Sequence, residues 1–102
     1  NQQLILSAYQ TLLASGLSER EWESLCLLAG GTDGEDGPTD AAGAILDSEI
    51  HQNASRQQLN VDDYLYRNDA YRFFEQAGGL LKTGPTGTNV CDVRVVVIAQ
   101  TT

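Results

Sequence analysis

A glycine-rich acidic segment follows directly after a short apolar run. Residues 24–29 read SLCLLA, and residues 30–40 read GGTDGEDGPTD. A short apolar run bounded by glycines is typical of a central strand buried on both faces. Because glycine lets the backbone approach a ligand closely, we expect this strand to end in a loop that can bind one.

Helical periodicity is clearest at the start of the chain. Apolar residues recur there at three- and four-residue steps and predict a helix that stops near Ser15. Residues 40–46 are rich in small helix formers, and Thr39 is a suitable N-cap, which predicts a short helix starting at the loop. The polar stretch 51–59 is predicted to be a connector or a ragged helix end.

The second half alternates helical and strand signals. Asn60 and Asp69 are predicted to cap two helices, the second of which spans residues 70–77 and packs an aromatic face into the core. Residues 80–82 and 94–99 are predicted strands. The order predicts an α/β fold, a mixed sheet covered by helices in a single small domain.

Charge and cysteine usage exclude several classes of function. The formal net charge is -8, which disfavours nucleic acid and anionic membranes as partners. Cys26 and Cys91 both lie beside apolar runs and are predicted to be small core residues in a reduced, cytoplasmic setting. The chain has no CxxC pair and one histidine, His51, so a structural zinc site is not expected. His51 itself lies in a polar stretch and is predicted to be a solvated surface residue.

The two loops offer different chemistry. Asp33, Glu35 and Asp36 suit Mg²⁺ ligation, a base for a hydroxyl, or acceptors for a small polar substrate. The loop at residues 83–89 has three threonines, with Lys82 before it, and offers donors for phosphoryl oxygens. Ordinary turn chemistry explains the first loop as well as a binding role does, and it explains the second loop better, so the residues alone leave a binding role open.

Three segments resemble the MOFRL domain, the C-terminal part of the class II glycerate kinases, which are also labelled hydroxypyruvate reductases. They are residues 31–44, 68–74 and 83–90, in that order along the chain. The resemblance implies phosphoryl transfer from ATP to D-glycerate with Mg²⁺, in a cleft between this domain and a large N-terminal one.

The same resemblance implies roles for individual residues. Asp33 would position the substrate hydroxyl or the metal, with Asp36 behind it. The implied substrate and nucleotide contacts come from both loops: Gly31, Thr32, Gly34, Thr83, Thr86, Gly87, Thr88 and Asn89.

Residues 1–102 are therefore expected to be the C-terminal domain of a larger two-domain protein. Residues 1–3 look like the family's Gly-Arg-Asn-Gln-Glu motif cut after its arginine, with Gln3 where glutamate is usual. With the N-terminal domain absent, the isolated chain is expected to be inactive. A free-standing, non-catalytic binding module for a hydroxy acid or phosphate is the alternative, and a homo-oligomer stays open. Reductase activity is disfavoured, because the chain has no nicotinamide-binding motif.

Overall fold

The computed structural model describes residues 1–34, 40–84, 86–87 and 91–99. Nine elements follow one another in these ranges: α1 (Gln2–Ala14), α2 (Glu19–Glu23), β1 (Leu25–Gly31), β2 (Gly43–Asp47), α3 (Ser48–Arg56), α4 (Val61–Tyr66), α5 (Ala70–Ala77), β3 (Leu80–Leu81) and β4 (Asp92–Ile98).

The four strands form one sheet in the order β3-β2-β1-β4, with β1 in the interior. β1 pairs with both β2 and β4, placing Leu28 opposite Ile45 on one side and Val95 on the other. The predicted α/β class and the central position of β1 are confirmed. All three pairings between the described strands are antiparallel.

The helix predicted over residues 40–46 is wrong, because Gly43–Asp47 forms strand β2. Backbone contact with β1 decides the outcome. A Cβ placed on Gly43 would lie 1.8 Å from the Ala29 carbonyl oxygen, so the two strands approach at a position that only glycine fits. Pairing with a distant strand thus overrides the local helix propensity of alanine.

The polar stretch after β2 is also more ordered than predicted. Residues 48–56 form helix α3, whose N-cap Asp47 accepts a hydrogen bond from the Ile50 backbone N–H at 3.0 Å. Helix α2 was not predicted, although Ser18 and Glu21 form a capping box that the sequence shows as SERE. The predicted helices α1, α4 and α5 and strands β3 and β4 are all present.

The core lies between the helices and one face of the sheet. Alternate residues of β1 and β2 point into it, with Ala29, Ala44 and Leu46 fully buried. The helices contribute the larger core side chains, among them Leu6, Tyr9, Trp22, Phe73 and Phe74. The predicted aromatic core face of α5 is therefore confirmed for both phenylalanines.

Neither cysteine belongs to this core. Cys26 is half-buried on the sheet face that points away from the helices, and Cys91 is exposed. Both are free thiols, so the prediction of a core position is wrong for both. Cys91 adopts φ 69° at the end of the second loop, just before β4. Within the described residues, no helix combines the length and apolar character needed to cross a bilayer.

Candidate functional site

The two predicted loops meet at one end of the sheet. The Thr86 backbone N–H donates to the Asp33 carbonyl oxygen at 3.3 Å, and the Thr86 hydroxyl donates to the Thr32 carbonyl oxygen. Gly34 adopts φ 89°, and a Cβ there would lie 2.0 Å from the Gly84 carbonyl oxygen. The loops are therefore packed against each other so closely that a side chain at residue 34 would separate them.

Thr32 fixes the first loop to the start of β4. Its backbone N–H and its hydroxyl both donate to the Cys91 carbonyl oxygen, at 3.1 Å and 2.7 Å. The Gly31 backbone N–H donates to the Ala42 carbonyl oxygen at 2.8 Å. The exit of β1 is thus held by backbone from both flanking segments.

These bonds determine what the loops can offer a ligand. The hydroxyls of Thr32, Thr83 and Thr86 all donate to backbone carbonyls in this conformation. A hydroxyl that donates internally still presents lone pairs, so these threonines offer acceptors to a ligand donor or a cation. A phosphoryl oxygen would have to exchange one of these internal bonds before the same hydroxyl could donate to it.

In the described residues that follow the first loop, the expected helix is replaced by a strand. The segment after the loop enters β2, and the predicted N-cap Thr39 lies outside the described residues. The backbone N–H groups of Gly31, Thr32 and Gly34 already donate to carbonyl oxygens of the protein. An anion at this loop would have to exchange these internal bonds to receive the same three N–H groups.

Asp33 is the carboxylate that the structure places in the loop pair. It is partly exposed directly after β1. Among the residues that the structure describes, no three His, Cys, Asp or Glu side chains gather into a metal site. Asp36, Thr88 and Asn89 lie outside the described residues, so the remaining predicted site residues in the loops are Gly31, Thr32, Gly34, Thr83, Thr86 and Gly87.

A second polar cluster joins the two loops from the side. The Tyr71 hydroxyl donates to Asp40 Oδ1 at 2.7 Å, and Lys82 Nζ lies 3.2 Å from Asp40 Oδ2. Asp40 follows the first loop, Lys82 precedes the second, and Tyr71 lies in the first turn of α5. We call these three residues the Asp40 cluster.

Hydrogen bonding sets the charge state of the Asp40 cluster. The Tyr71 hydroxyl, followed by the Lys82 ammonium, lowers the pKa of Asp40, and the Asp40 carboxylate raises the pKa of both Tyr71 and Lys82. The carboxylate is thus kept ionised and the phenol protonated. Sequence reasoning missed this cluster, because it assigned Tyr71 to the core and Asp40 to a helix start.

A different arrangement lies at the opposite end of the sheet. His51 stacks on Trp22 with ring centroids 4.0 Å apart, and the Tyr9 hydroxyl oxygen lies 2.6 Å from His51 Nδ1. Burial raises the pKa of Tyr9 to about 12 and lowers the pKa of His51. In the neutral tautomer of His51 that carries its proton on Nε2, Nδ1 accepts a hydrogen bond from the Tyr9 hydroxyl. The prediction that His51 is a solvated surface residue is therefore wrong.

This end of the sheet also has a cavity. It has a volume of about 310 Å³, lies next to Trp22 and His51, and is bordered by Glu19, Glu23 and Gln52, with Leu17 and Ser48. It opens near Asp47, which pairs with Cys26 at the start of β1, whereas the loops follow the other end of that strand. The cavity is therefore separate from the loop pair.

Comparison with protein families gives one match across most of the chain. The model of the MOFRL family matches residues 1–92. The chain belongs to the MOFRL family. The matched range includes both loops and the Asp40 cluster, so the predicted resemblance is confirmed over all the residues that form the candidate site.

Named relatives of this MOFRL chain are glycerate kinases. The chain is 42% identical to the D-glycerate 2-kinase of Thermotoga maritima over 98 residues, which cover 96% of this chain and 22% of the relative. It is 46% identical to the glycerate kinase of Danio rerio over 86 residues, covering 80% of this chain and 17% of the relative. This MOFRL chain thus spans about a fifth of the length of the relatives it matches.

A solved structure has the same fold. The crystal structure of glycerate kinase from Thermotoga maritima superposes with a TM-score of 0.80 at 41% identity. The superposition covers 97% of this MOFRL chain and 22% of that chain. The described architecture is therefore shared with one part of a much larger glycerate kinase.

Proposed function

We propose that this chain is the MOFRL domain of an ATP-dependent D-glycerate kinase, in which residues 31–40 and 83–90 line one wall of the active-site cleft. The observation that carries the proposal is the packing of the two loops at the exit of β1, in a fold shared with a glycerate kinase at 41% identity. Loops from two distant parts of the sequence would gain little from such close packing if each were only a turn.

The proposed roles follow from what each residue can supply. Asp33 accepts a hydrogen bond from the substrate hydroxyl or ligates a metal ion, and Asp36, in the same loop, supports it. Gly31, Gly34 and Gly87 keep the wall of the cleft free of side chains. The threonines Thr32, Thr83, Thr86 and Thr88, together with Asn89, contact the substrate or the nucleotide phosphates.

Mg²⁺ fits the side chains of this wall in one specific way. Magnesium ions in phosphoryl-transfer sites are bound by one or two carboxylates and complete their coordination with water and substrate phosphates. Asp33 supplies one such carboxylate, and a threonine hydroxyl oxygen is a further oxygen ligand of the kind that Mg²⁺ accepts. Bound there, the ion would neutralise charge on the transferred phosphoryl group.

This wall alone does not meet the needs of phosphoryl transfer. The reaction depends on positioning and on cations that stabilise the equatorial oxygens. The chain has a net charge of -8, and Lys82, the ammonium beside the second loop, is paired with Asp40. We therefore propose that the large domain supplies the cationic wall and that the chain by itself does not turn over ATP.

The test is a coupled assay of ADP formation with ATP, MgCl₂ and D-glycerate. We expect turnover by the complete polypeptide that carries this chain and none by residues 1–102. Asp33→Asn should lower kcat/KM about a hundredfold or more, as expected when a group that acts in the transition state is lost. Glu49→Gln, an exposed carboxylate in α3, is the matched control and should leave the rate unchanged.

Two results would contradict the proposal. Turnover by residues 1–102 would show that one wall suffices. A complete polypeptide that binds D-glycerate in calorimetry but forms no ADP would support the binding module instead.

A further inference from the structure

In the part of the chain that the structure describes, the helices pack on one face of the sheet and leave the second face uncovered. Residues of β1 and β2 alternate, and the core takes Leu27, Ala29, Ala44 and Leu46. The intervening residues point the other way, and the strand register aligns them with alternate residues of β4. We call this set the outer face, and it consists of Cys26, Leu28, Ile45, Val93, Val95 and Val97.

The composition of the outer face is unusual for a surface exposed to water. An antiparallel sheet covered on one side normally carries polar residues on its open side. Here the exposed fractions of Val93, Val95 and Val97 are 43%, 41% and 53%. Single exposed apolar residues are ordinary, but a contiguous apolar set on neighbouring strands marks a contact surface.

Charged groups avoid this face although the chain is strongly acidic. Asp47 is the carboxylate at an outward position of β2, opposite Cys26. Its Oδ1 accepts from the Ile50 backbone N–H at 3.0 Å, so the carboxylate is already used as a helix cap. A partner that covers Leu28, Ile45 and the valines would therefore bury no unpaired charge.

The second half of strand β4, residues 95–98, adds a second argument, because it is apolar on both sides. In the first half, Asp92 and Arg94 occupy the helix side, and Arg94 borders the groove there. Val96 and Ile98 point toward the helix side yet are 62% and 72% exposed. A groove of about 200 Å³ runs between α1 and β4, bordered by Leu4, Ala8 and Val96. Strands that are apolar on both faces are normally buried on both faces. An uncovered edge strand of this kind is also a site for unwanted pairing.

We propose that the outer face and β4 form the docking surface for the large domain of the same polypeptide. The argument is the length of the relatives, since this chain matches 22% of the Thermotoga maritima kinase and 17% of the Danio rerio one. In those proteins about four fifths of the chain lies outside the match and is available to cover the sheet. The inference rests on the proposed function only in treating this chain as one domain of a longer polypeptide.

A second copy of the chain is the less favourable occupant. Each copy carries a net charge of -8, so association of two copies brings like charges together. A large domain in the same polypeptide is held near the sheet by its linker, which keeps its effective concentration high. Its docking therefore avoids the entropy cost of bringing two separate chains together.

Site-resolved thiol labelling of the complete polypeptide tests the proposal. Val95→Cys and Val97→Cys place probes on the outer face, and Tyr66→Cys places one on a side chain that is 92% exposed on α4. Peptide mass spectrometry after timed iodoacetamide treatment separates each probe from the native Cys26 and Cys91. We expect both outer-face probes to react at least about tenfold more slowly than the probe at residue 66, because a closed interface must open before they react.

Either of two results would overturn the proposal. Equal labelling rates at all three positions would show an uncovered face. Slow labelling at residues 95 and 97 that accelerates when the protein is diluted would show a second copy on the face. The kinase assay on the same preparations is read separately, so a polypeptide with a covered face and no turnover refutes the proposed function but not the docking surface.

Discussion

The Tyr71 hydroxyl donates to Asp40 Oδ1 at 2.7 Å, linking the first turn of α5 to the end of the first loop. The sequence separation of 31 residues hides this contact from local pattern analysis. Lys82 approaches the other oxygen of the same carboxylate. One side chain thereby fixes the end of the first loop relative to the beginning of the second.

Removing the Tyr71 hydroxyl should loosen the loop pair without unfolding the protein. In the complete polypeptide, Tyr71→Phe should raise KM for D-glycerate or ATP about threefold to tenfold, the effect of losing one charge-assisted hydrogen bond. The change in kcat should be smaller, and the melting temperature should stay nearly constant because Asp40 is exposed. Tyr66→Phe, on an exposed ring, is the control. An unchanged KM for Tyr71→Phe would show that the bond has no positioning role.

Gly34→Ala should separate the two loops. The added Cβ would lie 2.0 Å from the Gly84 carbonyl oxygen, and this backbone cannot move away without shifting the second loop. We expect kcat/KM of the complete polypeptide to fall about tenfold to a hundredfold, as for a misplacement near 1 Å. Gly84→Ala is a matched control, since φ is 69° there and nothing lies within 4 Å of the new Cβ. Equal losses in both variants would assign the effect to backbone strain rather than to the loop contact.

Gly43→Ala should destabilise the sheet itself. Its Cβ would lie 1.8 Å from the Ala29 carbonyl oxygen in the adjacent strand, and Gly43 and Ala29 are both buried. Overpacking of this kind costs about 2–3 kcal/mol of unfolding free energy. Gly16→Ala has open space around it and should cost only about 1 kcal/mol, from its positive φ. Urea denaturation followed by tryptophan fluorescence measures both, and similar losses would contradict the close approach of β1 and β2.

Acid should destabilise the fold through His51. Burial lowers the pKa of this imidazole in the folded state, so the unfolded chain binds the proton more tightly. The stabilising contribution is complete above the unfolded pKa of about 6.5 and is lost as pH falls through the lower folded pKa. His51 is the one histidine of the chain, so it dominates titration just below neutrality.

The measurement compares denaturant midpoints of wild type and His51→Gln between pH 7.5 and pH 5. Glutamine cannot be protonated in this range but can still accept from the Tyr9 hydroxyl. We expect the midpoint of the wild type to fall with pH more steeply than that of the variant. Parallel pH dependences would place the acid sensitivity elsewhere in the chain.

The helices and strands that were predicted correctly are those whose sequence signal lies within the element itself or at its cap. Helix α1 follows from the periodic stripe of apolar residues, and α4 from Asn60, whose side chain accepts from the Asp63 backbone N–H. Strands β1 and β4 follow from short apolar or β-branched runs. In each case the decisive information lies within about ten residues of sequence.

The failures have a common physical cause. Residues 43–47 contain good helix formers, but pairing of Gly43 with Gly30 places them in the sheet. His51 lies in a polar stretch, but contact with Tyr9, 42 residues earlier, draws it inward. The residues by themselves did not predict that the two loops meet, and only the family resemblance implied it. In all three cases, contacts between residues distant in the sequence decide the outcome, and such contacts leave no local pattern.

The two hydrogen bonds from Thr32 to the Cys91 carbonyl oxygen have a consequence for biosynthesis. Their partner lies 59 residues further along the chain. Because translation proceeds from the N-terminus, the first loop leaves the ribosome long before the residue that anchors it. The two bonds that hold Thr32 to the start of β4 therefore form only after Cys91 has been synthesised, so the first loop reaches its final arrangement late.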